Sequence, residues 1–114
     1  MSQIFISHVE EDADVALELA RGLEAAGYTT WYYERDSQPA VSYLLQTGQA
    51  VDTAEAVLVV VSPASIKSPH QMDREVVRAL ETDKHFVPVL RGINHAEFQT
   101  RQPTWRQAAD NPVP

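Results

Sequence analysis

Ile4-Phe5-Ile6-Ser7-His8, almost at the initiator Met, is the stretch on which the fold turns. Its apolar run ending in a serine and a histidine reads as a short buried strand that stops at a polar rim. The period then changes. Glu10, Glu11 and Asp12 open a helix, where negative charge suits the positive end of the helix dipole. Val15, Leu19, Leu23 and Ala26 recur at helical spacing and predict its apolar face. Gly27 ends it where a left-handed residue is wanted.

The same alternation runs on along the chain. Tyr28–Tyr32 predicts a second strand, and Glu34–Ser42, with Asp36, Ser37 and Pro39, an exposed loop. Tyr43–Ala54 predicts a second helix with Leu44, Leu45 and Val51 facing inward, weakened in its middle by Gly48. Val57–Val61 is apolar throughout, as a central parallel strand should be. Ser68 as cap, Pro69 at the first helical position and Gln71 completing a capping box predict a third helix reaching about Asp83. Its buried stripe is Met72, Val76, Ala79 and Leu80. Phe86–Leu90 predicts a fourth strand, and Pro88, which cannot donate a ladder hydrogen bond, puts that strand near a sheet edge. Beyond Leu90 the pattern dissolves among Pro103, Pro112 and Pro114, and no fifth strand is evident. Strands alternating with helices predict an α/β fold around a parallel sheet, in one domain spanning residues 1–114. The closing Asn111-Pro112-Val113-Pro114 reads as the end of the N-terminal part of a longer polypeptide.

Composition narrows the function classes. A net charge of −7 argues against nucleic acid or an anionic membrane as partner, since phosphate binding needs clustered Lys and Arg. The absence of cysteine removes thiolate nucleophiles, disulfides and sulfur-ligated zinc. No basic, apolar leader begins the chain, and its longest apolar run, Ala56–Val61, is far too short to span a bilayer. A cytoplasmic location is the expectation. His70, His85 and His95 show no metal-ligand spacing, so no metal is assigned. Ser62 lacks a positioned His/Asp partner and a GxSxG elbow, which speaks against serine hydrolysis.

Several motifs, in order, carry a family resemblance over about residues 3–93. Phe5-Ile6-Ser7-His8 with Glu11-Asp12 is similar to the opening box of TIR (Toll/interleukin-1 receptor) domains. Gly27-Tyr28, Trp31 and Arg35-Asp36 resemble the approach to that family's BB loop. Val59-Val60-Val61-Ser62, Ser68 through Glu75, and Val87-Pro88-Val89 resemble its third strand, αC helix and fourth strand. The resemblance implies a flavodoxin-like sandwich with strand order 2-1-3-4, whose ligand crevice lies beyond the carboxyl ends of the strands. It also implies association with other TIR domains through Arg35, Asp36, Pro39 and Ser42 of the loop.

Within bacterial-type TIR domains the resemblance extends to effectors that hydrolyse NAD⁺, where a glutamate on the αC helix is essential. Glu75 matches that position. At about 100° per residue, Glu75 falls on the flank of the buried stripe, where a carboxylate is partly desolvated yet can reach a ligand. Tyr43 aligns with an aromatic on the nicotinamide side of such pockets, and Ser7, His8 and Ser62 close strands around the same crevice. For His8 the bland expectation is a ring satisfied by nearby backbone, and for Trp31 a core or loop-supporting role. NAD⁺ would be substrate, with no resident cofactor, cleaved between nicotinamide and ribose upon self-association in signalling or defence.

Two departures favour the alternative, a non-catalytic TIR–TIR interaction module. Gln71 stands where several such enzymes carry an aromatic, and Val9 and Glu10 where some carry arginine. A phosphoacceptor receiver domain shares the sheet order but needs an aspartate where Ser62 stands. A Rossmann dinucleotide site needs a GxGxxG that does not follow Ile6.

Overall fold

The structure, a computed structural model, describes residues 3–102 and residue 105, with the backbone alone for His70 and Gln71. Pro103, Pro112, Pro114, the chain end and the side chain of Gln71 lie outside the described residues. The elements are β1 (Gln3–Ser7), a 3₁₀ turn (Glu10–Asp12), α1 (Ala13–Ala25), β2 (Thr29–Trp31), α2 (Tyr33–Asp36) and α3 (Tyr43–Thr53). They continue as β3 (Ala56–Val61), α4 (Pro63–Lys67), α5 (His70–Glu81), β4 (His85–Leu90) and α6 (His95–Arg101). The described strands form one all-parallel sheet in the order β2-β1-β3-β4, the flavodoxin-like arrangement expected. Among the described strands β4 lies at the edge of the sheet, the position Pro88 favoured, with Pro88 opposite Val59.

Side chains on a strand alternate between its faces, and here that alternation makes two cores. Phe5 joins Val57, Val59 and Val61 on one face of the sheet, packed with Val51 of α3 and Met72 and Val76 of α5. Ile6 and Val60 face the other way, against Ala16 and Ala20 of α1 and Tyr32. Ser7, which follows the odd-numbered alternation, therefore points toward the layer that holds α3 and α5.

Several expectations are corrected. The buried face of α1 centres on Ala16 and Ala20, with Val15 and Leu19 at its margins, and Ala26 is exposed. Small residues let the helix lie close to the sheet, so the bulkier leucines sit at the sides. Leu44 and Leu45 are more than half exposed, while Gln46, Thr47, Ala50 and Val51 turn inward. That phase is set by Gln46. Its amide accepts from Gln38 N–H at 2.8 Å and donates to the Val41 carbonyl at 3.1 Å, tying the preceding loop to the helix.

The second strand stops at Trp31, because Tyr32 is the extended residue that leads into the helical turn α2, with Asp36 accepting from Tyr32 N–H at 3.0 Å. The predicted loop therefore starts later than Glu34. The predicted start at Ser68 also shifts. Ser68 ends α4, and α5 begins at His70 behind Pro69 with no side-chain cap. The capping box lies earlier, between Ser62 and Ser65. A second one, Asn94 with Glu97, starts α6 in the stretch where no element was expected.

Candidate functional site

Glu75 sits one turn into α5 beside Met72 and Val76, and burial leaves it 6% exposed. Two hydroxyls reach it. Ser7 Oγ, at the end of β1, donates to Oε1 at 2.5 Å, and Tyr43 Oη, at the start of α3, donates to Oε2 at 2.9 Å. Three elements distant in sequence thus converge on one carboxylate. Desolvation raises its pKa, opposed by the two hydroxyl donors and by His8. Tyr43 is pushed well above the ordinary phenol range by burial first and by the Glu75 charge second, so it stays a donor. Among the described residues no guanidinium or ammonium group contacts Glu75.

His8 lies beside this centre with its ring largely shielded. Nδ1 faces the Ile6 carbonyl at 3.2 Å, the backbone partner expected, and Nε2 faces Glu34 Oε1 at 2.7 Å. Ser62 is elsewhere. Its buried hydroxyl donates to Asp12 and accepts from Ser65 N–H at 3.1 Å, so it is not among the groups around Glu75. Asp12 is itself buried and is met from the other side by Arg91 at 3.1 Å, which also reaches Asp14.

The loop residues divide by partner. Arg35 donates to Asp36 at 2.9 Å, to Glu24 at 2.6 Å and to the Thr30 carbonyl at 2.5 Å, and lies 4.7 Å over the Tyr32 ring. Arg35 and Asp36 thus pin α2 to α1 and β2. Ser42 caps α3 through Leu45 N–H at 3.4 Å, and Pro39 is exposed beside Ala40, whose φ is +64°.

An aromatic series leads from the sheet to the carboxylate. Trp31 stacks on Phe5 at 5.3 Å, in keeping with its supporting role, then meets Tyr33 edge-on at 6.5 Å. Tyr33 tilts against Tyr43 at 4.9 Å. Two cavities meet near Tyr43. One of about 420 Å³ runs between α3 and α5 past Tyr43, Leu44, Arg74, Glu75 and Arg78. The other, about 480 Å³, lies beyond the strand ends and is lined by His8, Glu10, Tyr33, Glu34, Ser37 and Tyr43. No cluster of His, Asp and Glu able to hold a metal occurs among the described residues. Among the described residues no helix is long and apolar enough to cross a membrane.

Tyr33, Glu34, Gln46, Asp12 and Arg91 were not singled out by sequence reasoning as site or network residues. Only the Asn94/Glu97 and Ser62/Ser65 caps had a local spacing that signals them.

A profile of the TIR domain matches residues 4–111. The chain is 26% identical over 104 residues to a 2′ cyclic ADP-D-ribose synthase, BtTIR, from Bacteroides thetaiotaomicron. That match covers 88% of this chain and 36% of the relative, so the chain spans about a third of its length. Among solved structures, the TIR domain of the Toll-related receptor TRR-2 from Hydra magnipapillata superposes with a TM-score of 0.73. It is 24% identical, with 87% of this chain and 78% of that one covered. The TIR domains of the activated Roq1 resistosome give 0.76 at 18% identity, covering 95% and 68%. At these identities the two structures speak for the fold. With the profile match spanning nearly the whole chain, the protein belongs to the TIR domain family.

Proposed function

We propose that this TIR domain cleaves NAD⁺ between nicotinamide and ribose, with Glu75 as the catalytic carboxylate and association with other TIR domains as the active state. The observation that carries the reading is Glu75 itself, buried, with no Lys or Arg partner among the described residues, and held by the Ser7 and Tyr43 hydroxyls. A carboxylate so placed stores little of its stabilisation in a salt bridge and is free to answer a developing positive charge. Nicotinamide leaves NAD⁺ as a neutral molecule, so no general acid is needed. The ribosyl cation left behind is of the oxocarbenium type that an adjacent carboxylate stabilises. Ser7 and Tyr43 fix the orientation of Glu75, and Tyr43 bounds both cavities through which a dinucleotide would reach it. Capture by water gives ADP-ribose, and capture within the substrate gives a cyclic product. The resemblance to a cyclic ADP-ribose synthase makes both products worth assaying.

One observation favours the second reading, an interaction module without catalysis. Both oxygens of Glu75 already hold a hydroxyl at hydrogen-bond distance and only 6% of the residue is exposed, which also describes a structural tie between β1, α3 and α5. The test is NAD⁺ consumption by the self-associated protein, with products separated chromatographically. Consumption that vanishes in Glu75→Ala supports catalysis. No turnover at high protein concentration, or equal turnover in the variant, leaves the interaction module as the function.

A further inference from the structure

The helix that carries Glu75 is weakly fastened by its own sequence. Pro69 stands at its N-cap and offers the first turn no side-chain hydrogen bond. Its charged tie to α3, from Arg78 Nε to Asp52 Oδ1 at 2.7 Å, is solvent-exposed, where such a pair contributes little. The stripe of Met72, Val76 and Ala79 is buried in the core, but apolar contact is non-directional and does not by itself fix the roll of a helix about its axis. A directional bond comes from far along the chain. Trp105, which follows α6 in sequence, is fully buried, and its indole Nε1 donates to Asp73 Oδ1 at 2.6 Å.

From this we infer that Asp73 is a positioning residue for Glu75, and that its bond to Trp105 sets the roll of α5 that presents the Glu75 carboxylate to Ser7 and Tyr43. At about 100° per residue, Asp73 and Glu75 project about 200° apart, nearly on opposite sides of the helix. The indole therefore holds one side while the two hydroxyls meet the other. A carboxylate carried roughly 6 Å from the helix axis moves by about 1 Å for a roll of roughly 10°. A displacement of about 1 Å is enough to cost on the order of 10²-fold where a reacting group must be placed. That Glu75 is so placed for catalysis rests on the proposed NAD⁺ cleavage, whereas the dependence of its hydroxyl contacts on Asp73 does not.

The test compares Asp73→Ala with Asp73→Asn. Both remove the same charge, and Asp73→Asn keeps an acceptor for the indole, so their difference reports the bond. In an NMR titration of the Glu75 carboxyl carbon, the midpoint should lie higher in Asp73→Ala than in Asp73→Asn, because Ser7 and Tyr43 stabilise the charged form. The gap should be roughly half a pH unit or more, the equivalent of one weakened hydrogen bond. For NAD⁺ consumption, kcat should fall about tenfold or more in Asp73→Ala with KM within about twofold, and stay near wild type in Asp73→Asn. Trp105→Phe, which removes the donor and keeps an aromatic ring in the core, should follow Asp73→Ala. Equal Glu75 midpoints in the two folded Asp73 variants overturn the inference. So does a rise in KM with kcat unchanged, which would make Asp73 a substrate contact. A midpoint gap in a protein that does not consume NAD⁺ overturns only the catalytic reading, and turnover without the gap overturns only the positioning role.

Discussion

Two buried carboxylates lie near the carboxyl ends of neighbouring strands, each met by a serine. Asp12 is met by Ser62 just after β3, and Glu75 by Ser7 at the end of β1. What completes each environment differs. Asp12 has a guanidinium, Arg91, which is itself shared with Asp14. Glu75 has a second neutral hydroxyl, from Tyr43. A paired charge is satisfied in the resting fold and has little left to offer a ligand. A carboxylate whose hydrogen bonds among the described residues come from neutral hydroxyls is fixed in place without a Lys or Arg to pair its charge. One pole of the rim is thus fastened and the other is kept available.

The largest expected effect tests that asymmetry on catalysis. Glu75→Ala should reduce NAD⁺ consumption by about 10²-fold or more, the scale of losing one group that stabilises a developing charge. Asp12→Ala should act on stability instead. Loss of a hydrogen-bonded buried charge costs about 2 kcal/mol, or a melting temperature lower by roughly 8 °C in a domain this small. If Asp12→Ala melts like the wild type, the fastening role is wrong.

The pH response separates the poles further. Because burial raises Glu75 above the usual 4.5, its contribution to stability is full at pH below 4.5 and is lost as pH rises through the folded value. Glu75→Gln escapes that loss, so its melting temperature should gain on the wild type as pH climbs above 4.5. A difference that stays flat with pH would contradict the shift. The proposed catalysis predicts the opposite sign, since it uses the ionised form. The acidic limb of kcat/KM should lie above the ordinary glutamate range.

Smaller changes come from the serines and Tyr43. Ser7→Ala and Tyr43→Phe each remove a donor to the charged form and should move that limb further upward, with Ser7→Ala the stronger of the two. Ser62→Ala should leave the limb where it is and cost about 1 kcal/mol by denaturant titration, the value of a helix cap. Equal shifts from Ser7→Ala and Ser62→Ala would erase the distinction between the two poles.

The legible parts of this fold are those where one residue type answers one physical demand. Ile4-Phe5-Ile6 read as a buried strand and Val57–Val61 as a strand buried on both faces, and Pro88 favoured a place near a sheet edge. Met72, Val76 and Ala79 form the stripe on α5 that the spacing implied. The misread parts are those where a polar residue does a core residue's work. Gln46 turns α3 so that Leu44 and Leu45 face out, because its amide closes the loop at Gln38 and Val41. Asp12 looked like an ordinary acid at a helix start, and its partners lie 50 and 79 residues away. The site divides the same way. Helical geometry put Glu75 at a buried flank, but its meeting with Ser7 and Tyr43 spans separations of 68 and 32 residues, which no local pattern encodes.

Trp105 carries a consequence for how this domain can be cut. It is fully buried in the core that holds Phe5, Val76 and Phe98, and its indole Nε1 donates to Asp73 Oδ1 at 2.6 Å. Asp73 is two residues from Glu75 on the same helix. A boundary drawn after Leu90, where the last described strand ends, would remove the bulkiest plug from the interior and leave α5 unmoored on that side. Trp105 is therefore a keel for α5, tied to that helix two residues from Glu75.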